Sequence, residues 1–114
     1  MNALSDALGT SAQALELRTA RAQVLANNIA NADTPGFKAR DFDFAAMMRD
    51  AAGGTIGAPS LSYRAAAQPS LDGNTVDVNT EQMAYMDNAV RYQATLTMMN
   101  AQIRSVITAI TGGS

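Results

Sequence analysis

Two stretches of this chain carry residue types that could do chemistry. Asp41 and Asp43 flank Phe42 in the string Arg40-Asp41-Phe42-Asp43-Phe44, and a close carboxylate pair is the usual material of general acid–base catalysis. Asp72-Gly73-Asn74-Thr75-Val76-Asp77-Val78-Asn79-Thr80-Glu81 is rich in oxygen donors of the kind calcium prefers. Each has a plainer reading. The first string alternates with period two, as an extended segment does, so both carboxylates fall on one solvated face and both phenyl rings on the other. The second is not an EF-hand loop, because its glycine falls second rather than sixth. A tight turn or hairpin at Asp72-Gly73-Asn74, followed by a helix cap, accounts for the same residues. The chain has no His and no Cys, which removes the commonest bases, thiol nucleophiles and transition-metal ligands. Lys38 is its only lysine and has no partner motif, and no glycine pattern suited to phosphate is present. The reading is a protein that is not an enzyme, with no catalytic, cofactor-binding or metal residues.

The elements that would position these residues follow from composition and period. Of 114 residues, 47% are hydrophobic, but alanine dominates and only 5% are aromatic, with no Trp. Such a chain makes long helices more readily than a thick globular core. Its net charge of −2 offers no basic patch for nucleic acid. It has no apolar run long enough to span a membrane, and Met1 to Leu15 does not form a Sec-type signal peptide. The absence of Cys fits either redox compartment.

Three zones are expected: an N-terminal helix within 1–32, an irregular middle segment over 33–78 with short extended pieces, and a C-terminal helix within 79–114. In the first, Leu4, Leu8, Leu15, Ala22, Leu25 and Ile29 share one three-four register, interrupted by Ser11 and Arg18. In the middle, Phe44 to Ala52 suits a short helix, Gly53 to Pro59 a flexible link and Leu61-Ser62-Tyr63 a strand. In the third, Asn79 or Thr80 is the expected cap, with Gln82 completing a capping box if Asn79 serves. Asp87 and Arg91 can pair at i,i+4. Tyr85, Ala89, Tyr92, Leu96, Met99, Ile103, Val106 and Ile110 step by four and three, a heptad seam. Met83, Met86, Val90, Met98 and Ile107 lie off it, more apolar surface than one partner helix covers. The fold expected is mainly α: long terminal helices paired as a coiled-coil-like hairpin, with an assembly interface along Leu15, Ala22, Leu25 and Ile29 and along the C-terminal seam.

The junction between the first two zones is the most distinctive segment: Asn27-Asn28-Ile29-Ala30-Asn31-Ala32-Asp33-Thr34-Pro35-Gly36-Phe37-Lys38. Pro35 fixes φ and disfavours the α region at Thr34, so the helix ends near Ala32 or Asp33. Pro35 and Gly36 suit the two central positions of a type II turn, which throws Phe37 back as an anchor. Asn27 and Asn31 share a helix face.

Asn27, Asn28, Ala30, Asn31, Thr34, Gly36 and Phe37 match the N-N-x-A-N and T-x-G-[FY] pattern of bacterial flagellar rod and hook proteins. Together with Thr34 to Phe44, the string Gln68 to Asp77 and the helix carrying Asn88-Ala89-Val90-Arg91-Tyr92, the chain resembles a flagellar basal-body rod protein, the proximal rod protein of the FlgB type. The resemblance is weakest from Ala51 to Ala67, where this chain is short for the family. It implies a structural subunit of the proximal rod, passed out through the flagellar type III export apparatus without a cleaved signal peptide. It also implies assembly into the helical, hollow, torque-transmitting shaft of the periplasmic rod. The implied partners are further copies of itself, other rod proteins, a rod-base adaptor and the export gate. The alternatives are another axial rod protein, or a soluble helical-hairpin adaptor or chaperone.

Overall fold

The computed structural model describes residues 2–52, 61–64 and 70–112. The expected link from Gly53 to Pro59, and Gln68 and Pro69 of the later string, lie outside the described residues. The elements are α1 (Asn2–Ala30), β1 (Arg40–Asp41), α2 (Phe44–Ala52), β2 (Ser62–Tyr63) and α3 (Val78–Ile110). The chain is mainly helical, with α1 and α3 as the two long terminal helices. They run antiparallel: Ser11 meets Gln102, Arg18 meets Asn88, and Asn28 meets Glu81. The result is a rod-like molecule, 65 × 26 × 16 Å.

The middle segment folds back on the closed end of this hairpin. β1 and β2 pair antiparallel, Arg40 opposite Tyr63 and Asp41 opposite Ser62, and β1 and α2 both pack against α1. Asp43 starts α2, accepting from the Ala46 N–H at 3.2 Å. The anchors of this layer are Ala39, fully buried, and Phe42, 5% exposed. Phe37, expected to be the anchor, is only half-buried. The turn delivers its backbone instead: the Phe37 carbonyl accepts from the Thr75 N–H at 2.9 Å.

Two expected boundaries shift. α1 ends at Ala30 rather than Ala32 or Asp33, because the bonds after it tighten from i−4 to i−3. The cap of α3 is Asp77, not Asn79 or Thr80; its carboxylate accepts from the N–H groups of Asn79 and Thr80 at 3.1 and 3.3 Å. Asp77 wins because it sits in extended backbone with its oxygen already facing the first turn.

The seam of α3 also differs from the apolar heptad. The residues turned toward α1 include Glu81, Asn88, Thr95 and Gln102, which recur every seventh position, with Ala84, Tyr92, Leu96, Met99 and Val106 beside them. Tyr85, Ala89, Ile103 and Ile110 of the expected seam are exposed. The helix is rotated by about one residue because the polar groups of Glu81, Asn88 and Gln102 find partners across the hairpin. On α1, Leu25 is fully buried, while Leu8, Leu15, Ala22 and Ile29 are half-buried. The two residues that interrupt the α1 stripe, Ser11 and Arg18, are both contact points. The Ser11 hydroxyl donates to Gln102 at 3.0 Å and the Arg18 carbonyl accepts from Asn88 at 2.9 Å.

Candidate functional site: a polar clasp at the closed end

Asn28 is the centre of the site. It is 1% exposed, and its side-chain amide binds like a short stretch of strand: Nδ2 donates to the Arg40 carbonyl at 2.7 Å, and Oδ1 accepts from the Arg40 N–H at 3.1 Å. Nδ2 also donates to Glu81 Oε2 at 3.0 Å. One amide thus ties α1, β1 and α3 together.

Glu81 is fully buried. Its carboxylate needs a cation there, since a lone buried charge costs several kcal/mol. Arg64, just after β2, supplies it, with Nε 2.6 Å from Oε1. Arg64 also reaches Asp41 Oδ2 at 2.8 Å, and Arg21 binds Asp41 through Nε and Nη2 at 3.1 and 3.0 Å. The series Arg21–Asp41–Arg64–Glu81–Asn28 is a linear alternation of charge with an amide at its end. Asp41 is therefore not on a solvated face. Burial pushes its carboxyl up, but the Arg21 hydrogen bond, the Phe42 N–H and the charges of Arg21 and Arg64 outweigh that, leaving its pKa below the usual carboxylate range. Asp43, by contrast, is exposed and caps α2, so the two carboxylates do not form an acid pair.

The motif turn closes the outer side of the clasp. Gly36 has φ +73°, and the Phe37 N–H returns to the Thr34 carbonyl at 3.2 Å. Asn74, 7% exposed, donates from one Nδ2 to the carbonyls of Asn31, Ala32 and Thr34 at 2.9, 3.0 and 2.7 Å. These are groups that the end of α1 leaves without helical partners. The Gly36 N–H donates to the Asp72 carbonyl at 2.8 Å, and the Ala39 N–H to Thr75 Oγ1 at 2.8 Å. Lys38 Nζ reaches the Gly73 carbonyl. The two sequence strings, some forty residues apart, are thus halves of one joint. The side chains of Asn27 and Asn31 stay outside it, bonded to each other at 3.2 Å, and Asn31 enters the joint only through its carbonyl; Asn27, Ala30, Pro35 and Gly36 are exposed.

The carboxylates of the oxygen-rich stretch are all engaged in this joint or in the α3 cap. Asp72 accepts from the Ser70 hydroxyl and the Asn74 N–H, which hold its carboxyl below the usual range; Asp77 caps α3; Glu81 pairs with Arg64. Sequence reasoning missed the burial of Glu81, Asn74 and Asn88. The legible signal was the polar heptad line at 81, 88, 95 and 102, masked by the stronger apolar line beside it.

A site made of ion pairs and amides between backbone segments ties those segments together, a structural task. The comparisons with known proteins agree. Residues 8–38 match the family model described as flagella basal body rod protein. The chain is 44% identical to the flagellar basal body rod protein FlgB of Cereibacter sphaeroides, across 98% of this chain and 99% of that one. It is 38% identical to FlgB of Salmonella typhimurium LT2 and 39% to FlgB of Escherichia coli K12, each across 100% of this chain and 99% of the relative. The Cereibacter alignment runs over 127 positions, more than the 114 residues present here, so it places gaps in this chain. The molecule is of the basal-body rod class, a structural protein and not an enzyme. Within that class it belongs to the FlgB family of proximal rod proteins.

Proposed function

We propose that this chain passes out through the flagellar type III export apparatus, with no cleaved signal peptide, and packs into the periplasmic rod as part of a hollow, torque-transmitting helical shaft. Its neighbours in this reading are copies of itself, other rod proteins, the rod-base adaptor and the export gate. The observation that carries the reading is the apolar surface of α3. Because the hairpin closes through the polar heptad line, Tyr85, Ile103 and Ile110 remain 41%, 39% and 75% exposed. Off that line, Met83, Met86, Val90, Met98 and Ile107 are each more than half exposed. Large apolar side chains left exposed on more than one side of a helix suit a surface that meets other subunits. Contacts repeated head to tail along such faces build a filament rather than a closed ring.

The test is complementation in a flagellated host deleted for its own copy. Ile103→Asp and Tyr85→Asp lie at exposed positions, so the monomer stays folded and exported. Both variants are expected to be absent from purified basal bodies and to leave the cells non-motile. Incorporation of both at the wild-type level overturns the reading of this face. A compact, closed oligomer in solution would favour a helical-hairpin adaptor instead.

A further inference from the structure

Helix α3 carries two lines that could close against α1, and they share a flank. Tyr92, Met99 and Val106, half-buried in the hairpin, form the common line. On one side of it run Glu81, Asn88, Thr95 and Gln102; on the other run Ala89, Leu96, Ile103 and Ile110. Ala89, Leu96 and Ile103 each follow a member of the polar line by one position. A turn of the helix by about 100° therefore exchanges the two. α1 offers the same choice. Its buried Ser11, Ala14, Leu25 and Asn28 fall on one three-four line, and Leu8, Leu15, Ala22 and Ile29 run beside it, half-buried.

Apolar burial alone would favour closing through the second line. The hairpin closes through the first: Glu81 is fully buried and Asn88 is 2% exposed, while Ile103 and Ile110 stay exposed. Net attraction is a poor explanation, because a buried ion pair seldom gains on apolar packing. The cost of the alternative is a better one. Turning α3 would take Glu81 from Arg64 and from the Asn28 amide, and Gln102 from the Ser11 hydroxyl. Asn28 and Ser11 are themselves buried. Buried polar groups stripped of partners cost more than the pairs contribute.

We propose that the polar heptad line of α3 is a facing selector: it holds the helix in one of two rotations about its own axis, keeping the apolar line outward instead of letting it close on α1. A polar residue repeated along a helix seam fixes alignment at some cost in stability. The use of the outward line by neighbours rests on the assembly reading above; the selector is a property of the single chain.

The chain has no cysteine, so single cysteines report which line faces inward. Asn88→Cys and Ala89→Cys are placed separately in the natural chain and in a chain that also carries Glu81→Lys and Gln102→Lys. The amine at position 81 would then face Arg64, and the selector works against its own facing. In the natural chain, maleimide is expected to react about tenfold faster at position 89 than at 88, following their exposure. In the doubly substituted chain, with helicity retained by circular dichroism, the order is expected to reverse. An unchanged order overturns the proposal. So does loss of helicity, or fast reaction at both positions, since the second facing would then not exist. Labelling is read on the free chain, so its outcome is separate from basal-body incorporation, which tests the assembly reading.

Discussion

At the scale of single residues, the clasp turns on groups whose partners are backbone or charge, so conservative changes separate their roles. Glu81→Gln keeps an oxygen for Asn28 but leaves Arg64 with one carboxylate; a loss of about 3 kcal/mol in urea unfolding is expected. Asn28→Ala strands the N–H and carbonyl of Arg40 and is expected to cost about 2–3 kcal/mol by the same measurement. Asp41 gives the clasp a pH dependence. Its folded pKa is depressed, so its contribution is present above the unfolded pKa and disappears as pH falls through the folded one, a window below about pH 4. Wild-type stability should therefore drop on titration from pH 5 to pH 2, and the Asp41→Asn variant, already weaker at pH 7, should show a shallower fall. Equal slopes would mean that Asp41 does not carry the effect. At Gly36 an added methyl group would meet nothing within 4 Å, so crowding is not the issue; φ of +73° is. Gly36→Val should cost about 2 kcal/mol and Gly36→Asn less than about 1, since Asn tolerates the left-handed region.

At the scale of elements, the caps and seams show how far sequence carries. Asp77→Ala is expected to lose about 1 kcal/mol of helix stability and Asn79→Ala to lose nearly nothing, read from thermal midpoints. The long helices, α2, the strand at Ser62–Tyr63 and the Pro35-Gly36 turn were all legible, because apolar period and turn chemistry are local properties. The cap was not, because Val78 looks like strand and only the extended backbone at Asp77 reveals the true start. The inward face of α3 was not either. An apolar heptad and a polar heptad run side by side along that helix, and periodicity ranks the apolar one first. Which one faces inward depends on partners such as Asn28 and Ser11, brought up by the fold. The marriage of the motif turn to Asn74 was hidden for the same reason: a bond across forty residues leaves no trace in either string alone.

At the scale of the whole molecule, protection is unevenly distributed. Among the described residues, the buried Ser11 and Ala14 belong to the open end of the hairpin and Asn88 to its middle; Leu25, Asn28, Ala39, Phe42, Asn74 and Glu81 crowd the clasp. Amide exchange of the monomer in dilute solution should be slow near the clasp and fast in α1 before Ser11 and in α3 beyond Val106. Uniform protection along both helices would show that the hairpin needs no neighbours to order it. The polar contacts across the hairpin have one more consequence. Helices faced with alanine and leucine have many near-equivalent ways to slide past each other. Here Ser11 with Gln102, the Arg18 carbonyl with Asn88, and Asn28 with Glu81 act as pins at three heights. A slip of one turn, about 5.4 Å, would break all three together. The hairpin therefore has a single length, and load applied along its axis is carried by both helices in parallel instead of being lost as shear between them.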